Sequence, residues 1–208
     1  MALAAKAYPR CTVIDLERPV TRVAPALLGA LLRHETAEGL VVVEITEVEA
    51  YDGERDPASH AFRGPTPRNA IMYGPPGHLY VYRSMGMHWC VNVVTGPEGR
   101  ASAVLLRAGT IIEGIEIARE RRGPRISDRD LARGPGRLCQ ALGITGDHYG
   151  IDLFTDGPLR LEVRQTPLAK RLIASGPRVG VSGAADIPWR FWVDGDRSVS
   201  AYRRSPRA

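Results

Sequence analysis

Lysine is almost missing from these 208 residues: Lys6 and Lys170 are the only two, so 26 of the 28 basic side chains are arginine. Chemistry that runs through a lysine Schiff base therefore has two candidates, one near the N-terminus and one outside every motif described below. Cysteine is scarce as well. Cys11, Cys90 and Cys139 are odd in number, widely spaced and free of CxxC, which fits neither a disulfide framework nor a zinc site; they read as reduced and structural, and no metal or other cofactor is expected. No apolar run approaches the roughly 18 residues a membrane helix requires, so the chain is not expected to span a membrane. The opening MALAAKAYPR has too short an apolar stretch, with no basic region before it, for a signal peptide. It reads as a frayed tail of a cytoplasmic protein.

What is present is charge of one sign and ordinary globular content. The formal net charge is +5 and the pI is near 9.4, with 44% hydrophobic and 25% charged residues. Arginine's planar fork suits phosphate, and a basic chain suits a polyanion; the same bias also follows from GC-rich coding of a chain rich in Ala, Gly and Pro. The length fits one domain, expected over 19–200 between an N-terminal tail, 1–18, and a basic C-terminal tail, 201–208.

Periodicity predicts a helix over 21–34 and a strand over 40–51, with Ile45, Glu47, Glu49 and Tyr51 on one face. The Gly- and Pro-rich stretch 52–77 reads as an irregular loop inside the domain. A hairpin follows, HLYVYRSMGMHWCVNVV, with Gly86 permitting its turn and Met85 at the tip. A buried strand is expected over 102–109, helices over 112–122 and 137–144, and late strands over 151–163 and 189–199. The arginines at 119, 121, 122 and 125 read as a solvated helix end. Together these elements predict a mixed α/β (α+β) domain with a curved, largely antiparallel sheet and a protruding hairpin.

Glu49, Tyr51, His60, Tyr82, Asn92 and Arg107, if they converge, form an aromatic-walled pocket for a flat ring, with polar tips at its edge and an acid able to activate water. Taken singly each has a plain structural reading: a strand-end charge, core rings, a loop imidazole, a satisfied amide, a salt-bridge arginine.

The series EAYxG, SHAxxGxTxRNxxM, PPGxLYVYRSxGMHWCxN and GPGRLCQALGI resembles the alkyladenine (3-methyladenine) DNA glycosylases, the methylpurine-DNA glycosylase family, over roughly residues 20–195. The resemblance implies a compact α/β fold whose hairpin enters the minor groove. There it would flip a damaged purine (3-methyladenine, 7-methylguanine, hypoxanthine, ethenoadenine) into a pocket and cut its bond to deoxyribose. Glu49 matches the family's general base. Arg107 and the Val179 main-chain carbonyl match positions that hold the water and the adjoining phosphate. Tyr51, His60 and Tyr82 match the stacking and edge-reading walls, and Asn92 the side chain that crowds the exocyclic amine of guanine. Met85 matches the intercalating wedge, although a tyrosine stands there in many family members, and Met87 lies beside it. Thr66, Arg68 and Arg137 are candidates for the DNA backbone. Lysine scarcity adds the expectation of a single-function enzyme without strand cleavage. The expected partner is double-stranded DNA bearing damaged purines, with a monomer as the simplest form. Two rivals stay open at this point: a damaged-DNA-binding module without catalysis, and a hydrolase of free purine nucleosides.

Overall fold

The computed structural model describes residues 14–208, so Lys6, Cys11 and most of the expected N-terminal tail lie outside the described residues. Three α-helices, five short 3₁₀ turns and an eight-stranded antiparallel sheet make up the regular structure of that span. Helix α1 (Val20–Ala26) precedes strands β1 (Leu31–Thr36) and β2 (Gly39–Tyr51); the hairpin strands are β3 (Leu79–Ser84) and β4 (His88–Val94), and β5 (Ala103–Glu113) leads into α2 (Ile115–Arg122). Helix α3 (Pro135–Leu142) and short strands β6 (Leu159–Glu162), β7 (Ile173–Gly176) and β8 (Arg190–Val193) complete it. The sheet runs β3-β4-β5-β2-β1-β6, and β8 pairs with both β2 and β7. Strand β2 is the spine: its first half pairs with β1, Glu47 to Glu49 with β8, and β5 lies along its other edge. No helix among the described residues is long and apolar enough to cross a membrane.

Five sequence expectations are corrected. The helix expected over 21–34 ends at Ala26 and the chain resumes as β1 at Leu31. The Gly29 N–H is taken by the Ile45 carbonyl at 2.7 Å, and Leu32 is buried in a strand flanked by β2 and β6; an apolar run this short suits either element, and sheet pairing decides it. The strand expected to stop at 109 runs on to Glu113, paired with Val42, so helix α2 starts only at Ile115. Gly114 makes the corner at φ +74°, where a Cβ would stand 2.1 Å from the Leu40 carbonyl oxygen. The late strands shrink to Leu159–Glu162 and Arg190–Val193, and β7 was not foreseen.

The fourth correction concerns the site. Ile45 does not share a face with Glu47, Glu49 and Tyr51. The β2–β5 register slips between Ile45 and Glu47 and again between Glu47 and Val48, a bulge that inverts the alternation. Val41, Val43 and Ile45 therefore point into the main core together with Val48 and Ala50, and Glu47 and Glu49 face the opposite side. The main core gathers α1, α3 and one face of the sheet, with Leu27, Leu32, Leu106, Leu138 and Leu142 fully buried; each such side chain contributes about 1.5–3 kcal/mol. A smaller cluster, Ala61, Met72, Tyr80, Val94, Ala101 and Ala103, forms the other face. The arginines of the α2 end are not simply solvated: Arg121 bonds Glu38, Thr36 and the Ala141 carbonyl, and Arg122 bonds the Leu131 carbonyl and Gln140.

Candidate active site

One rung of the sheet sets out the site. Tyr80 pairs with Asn92, Asn92 with Leu105, Leu105 with Glu49, and Glu49 with Arg190, across β3, β4, β5, β2 and β8. Directly paired residues project to the same side, so a tyrosine, an amide and a carboxylate share one face at strand spacing. Over that rung lies a cavity of about 460 Å³ lined by Tyr51, His60, Tyr82, Asn92, Arg107 and Val179, with Met85 at its rim. This is within the usual range of small-molecule pockets.

Glu49 is 0% exposed. Its Oε1 accepts the Val179 N–H at 2.7 Å and lies 3.3 Å from Arg107 Nη1, and its Oε2 accepts the Tyr51 hydroxyl at 2.7 Å. The carboxylate itself does not border the cavity; the three groups it binds do. At Val179 it is the N–H that meets Glu49, whereas the sequence reading assigned a role to the carbonyl. Burial raises the Tyr51 phenol well above its ordinary pKa, and the nearby Glu49 charge adds to it, so Tyr51 stays a donor. For Arg107, burial opposes the cation, but Glu49 and Glu47 outweigh it and hold its pKa above the ordinary value.

A second buried carboxylate, Glu47, was not singled out from the sequence. It accepts from Arg107 Nε at 2.9 Å, Arg190 Nε at 2.7 Å, and the N–H and hydroxyl of Ser200 at 2.7 and 2.9 Å. Burial alone would raise its pKa, but Arg107 and Arg190 turn the balance and lower it, so Glu47 is ionised.

The aromatic wall is built from the hairpin and the irregular loop. Tyr80 and Tyr82 stack with centroids 5.5 Å apart, and His60 stands edge-on to Tyr82 at 4.5 Å. His60 Nδ1 meets the Tyr80 hydroxyl at 2.9 Å. Partial burial first and Arg68 second bring the His60 pKa down to about 4, so its imidazole is neutral near pH 7. Burial is the main cause that raises Tyr80 to about 12 and Tyr82 above its ordinary value. The Asn92 amide is pinned by donating to the Tyr80 carbonyl at 3.0 Å. Asn69, buried, holds the loop by donating to the carbonyls of His60 and Gly64 and accepting from the Thr66 N–H. It belongs to the RN pair of the quoted motif, which was the available signal for it.

Met85, at the hairpin tip, is 89% exposed with φ +49°, and Met87 is 63% exposed. Thr66, Arg68 and Arg137 lie outside the cavity. Arg68 sits over the Tyr82 ring, 5.3 Å from its centroid, and Arg137 lines an adjoining hollow with Arg122, Arg133, His88 and Gly136. Lys170 is exposed on a 3₁₀ turn, Lys170–Leu172, away from the cavity lining.

Beneath Tyr51 lies a pair with no local sequence signal. Arg178 and Asp56 are both 0% exposed in their side chains and joined through the two terminal guanidinium nitrogens, Nη1 and Nη2, with Arg178 Nη1 also donating to the Ala50 carbonyl at 2.9 Å. The guanidinium stands 4.7 Å from the centroid of the Tyr51 ring.

The family model described as "Methylpurine-DNA glycosylase (MPG)" matches residues 14–197. A protein of Nocardia farcinica (strain IFM 10152) described as "Putative 3-methyladenine DNA glycosylase" is 57% identical over 191 residues, covering 89% of this chain and 88% of its own length. Proteins with the same description from Streptomyces avermitilis and Mycobacterium tuberculosis (strain ATCC 25177 / H37Ra) are 54% and 52% identical, covering 91% and 89% of this chain and 91% and 90% of their own lengths.

Proposed function

The chain belongs to the methylpurine-DNA glycosylase family, and from that membership we propose that it is a 3-methyladenine-type DNA glycosylase that excises alkylated and deaminated purines from duplex DNA. The observation that carries this reading is the fully buried Glu49 carboxylate, held by Arg107, Tyr51 and the Val179 N–H directly behind an aromatic-walled cavity.

A base inside a duplex is out of reach, so the lesion nucleotide is extruded into the cavity, which costs least for a damaged or mispaired base. Met85, the most exposed apolar side chain at the rim, fills the gap left in the stack, and Met87 supports it from the other side of the turn. Displacing the Tyr51 hydroxyl, the one neutral side-chain donor on Glu49 among the described residues, opens Oε2 to a water. As the N-glycosidic bond breaks, positive charge grows on the sugar, and the Glu49 carboxylate stabilises it. Water oxygen bonds to the anomeric carbon, its proton passes to Glu49, and the electron pair of the broken bond leaves with the base. An alkylated purine already carries positive charge, so it departs neutral with no second acid. Asn92, fixed on Tyr80, crowds the exocyclic amine of guanine and rejects it.

Thr66, Arg68 and Arg137 are assigned to the DNA backbone, which predicts binding that weakens steeply with salt. Lys170 stands apart from the cavity, which supports a water route and an abasic product without strand cleavage. The protein acts as a monomer on cytoplasmic DNA.

The experiment is Glu49→Gln on duplexes that each carry one of the four lesions. Loss of base release with retained lesion binding is expected. A variant that still excises at the wild-type rate overturns the role of Glu49, and release from free nucleosides faster than from duplex favours the nucleoside-hydrolase alternative.

A further inference from the structure

Ser200 lies beyond residue 197, where the family match ends, and reaches the site from the C-terminal segment. Its N–H donates to Glu47 Oε2 at 2.7 Å and its hydroxyl to Glu47 Oε1 at 2.9 Å, and the same hydroxyl accepts from Arg107 Nη2 at 3.4 Å. Its carbonyl accepts from Arg190 Nη2 at 2.7 Å. All three polar atoms of Ser200 are thereby engaged with the buried cluster around Glu47.

Arg107 is shared between two carboxylates. Its Nε is committed to Glu47 and its Nη1 lies 3.3 Å from Glu49 Oε1. A cation placed between two anions settles toward the one with fewer other donors, and in a buried site the displacement is not damped by water. Ser200 supplies two of the four donors to Glu47, so it limits how strongly Glu47 draws Arg107. The same segment also reaches the residue beside a second partner of Glu49, Val179: Gly180 donates its N–H to the Arg203 carbonyl at 3.0 Å. Two separate contacts therefore tie the C-terminal segment to the two fixed donors of Glu49.

We propose that Ser200 is a positioning residue for base excision, holding Arg107 against Glu49 through Glu47. This rests on the excision activity proposed above. Ser200 does not itself line the cavity and meets it only through Arg107, so its effect falls on the rate of the chemical step and not on lesion capture.

The test is single-turnover excision from a duplex bearing one lesion, over a range of enzyme concentrations, with wild-type protein, Ser200→Ala, Ser200→Thr and Ser200→Cys. Thermal unfolding and lesion-duplex affinity are measured alongside. Removal of the hydroxyl is expected to lower the saturating rate about tenfold or more, the scale of a small misplacement of a reacting group, at unchanged half-saturating concentration. Threonine, which keeps the hydroxyl, restores the rate, and cysteine, a weaker donor, falls between threonine and alanine. A saturating rate that ignores the hydroxyl across the series overturns the proposal, as does a change confined to affinity. The Thr and Cys variants decide the matter should the Ala variant fail to fold. If wild-type protein releases no base, the excision reading itself fails; if it does and Glu49→Gln does not, an indifferent Ser200 series removes only this inference.

Discussion

Arg178 and Asp56, 122 residues apart in sequence, form a forked ion pair with neither side chain exposed, and the guanidinium lies under the ring of Tyr51. The pair fastens the segment carrying Val179 to the loop that follows β2, and so fixes the Val179 N–H on Glu49. Removing one partner of a buried pair leaves an uncompensated charge and costs about 3–5 kcal/mol. Asp56→Asn is expected to lower the melting temperature by roughly 10 °C, given about 2–4 °C per kcal/mol for a chain this size. Calorimetry checks it; an unchanged melting temperature contradicts a clamp role.

Tyr51 presents a ring to the cavity and a hydroxyl to Glu49. On the proposed route the hydroxyl gives way to water while the ring holds the extruded base. Tyr51→Phe should therefore slow excision less than tenfold, whereas Tyr51→Ala should slow it roughly 10- to 100-fold, the range given by about 1–3 kcal/mol of base stacking. Equal losses in the two variants, read from single-turnover rates, count against this division of labour.

The hairpin tip separates duplex from single-strand substrates. Met85→Ala should reduce excision from duplex DNA by roughly tenfold, within the range of about 1–3 kcal/mol per stacked base, and leave a lesion in single-stranded DNA nearly unaffected. Met85→Tyr, a better stacking surface than a thioether, should raise the duplex rate. An alanine variant that loses activity equally on both substrates removes the wedge role.

Stability should carry a histidine signature. His34 is buried, its Nδ1 2.7 Å from the Leu142 carbonyl and its Nε2 3.3 Å from His148 Nε2. Burial lowers its pKa below the model-peptide value of 6.5; the Leu142 bond opposes that, and His148 and Arg121 add to it. The unfolded chain therefore takes up this proton first as pH falls below 6.5, and stability declines from there until the folded-state value is passed. His34→Gln should flatten that part of the curve of denaturant midpoint against pH. An unchanged slope assigns the acid sensitivity elsewhere.

Local pattern made some elements legible and not others. Strand β2 and the hairpin follow from alternating β-branched and aromatic residues, and the Gly- and Pro-rich loop from its lack of period. The bulge between Ile45 and Val48 is written in no local signal: it shows only in the pairing with β5, where Ala108 faces Glu47 and Leu106 faces Val48, and it moves Ile45 to the core face. Leu31 and Leu32 suit a helix or a strand equally until β2 and β6 are beside them. The candidate residues near the cavity came from motif order, since spacing alone could not show that they meet. Asp56, Arg178, Glu47 and Ser200 carry no local signal of their roles, because their meaning lies in partners up to 153 residues away.

Met85 adopts a left-handed backbone, φ +49°, followed by Gly86 at φ +68°, a conformation that costs a side-chain-bearing residue about 1–2 kcal/mol. Glycine or asparagine would sit there with less strain. Laboratory selection for heat tolerance would thus be drawn to position 85 early, and each gain in ruggedness would blunt the probe that searches the duplex.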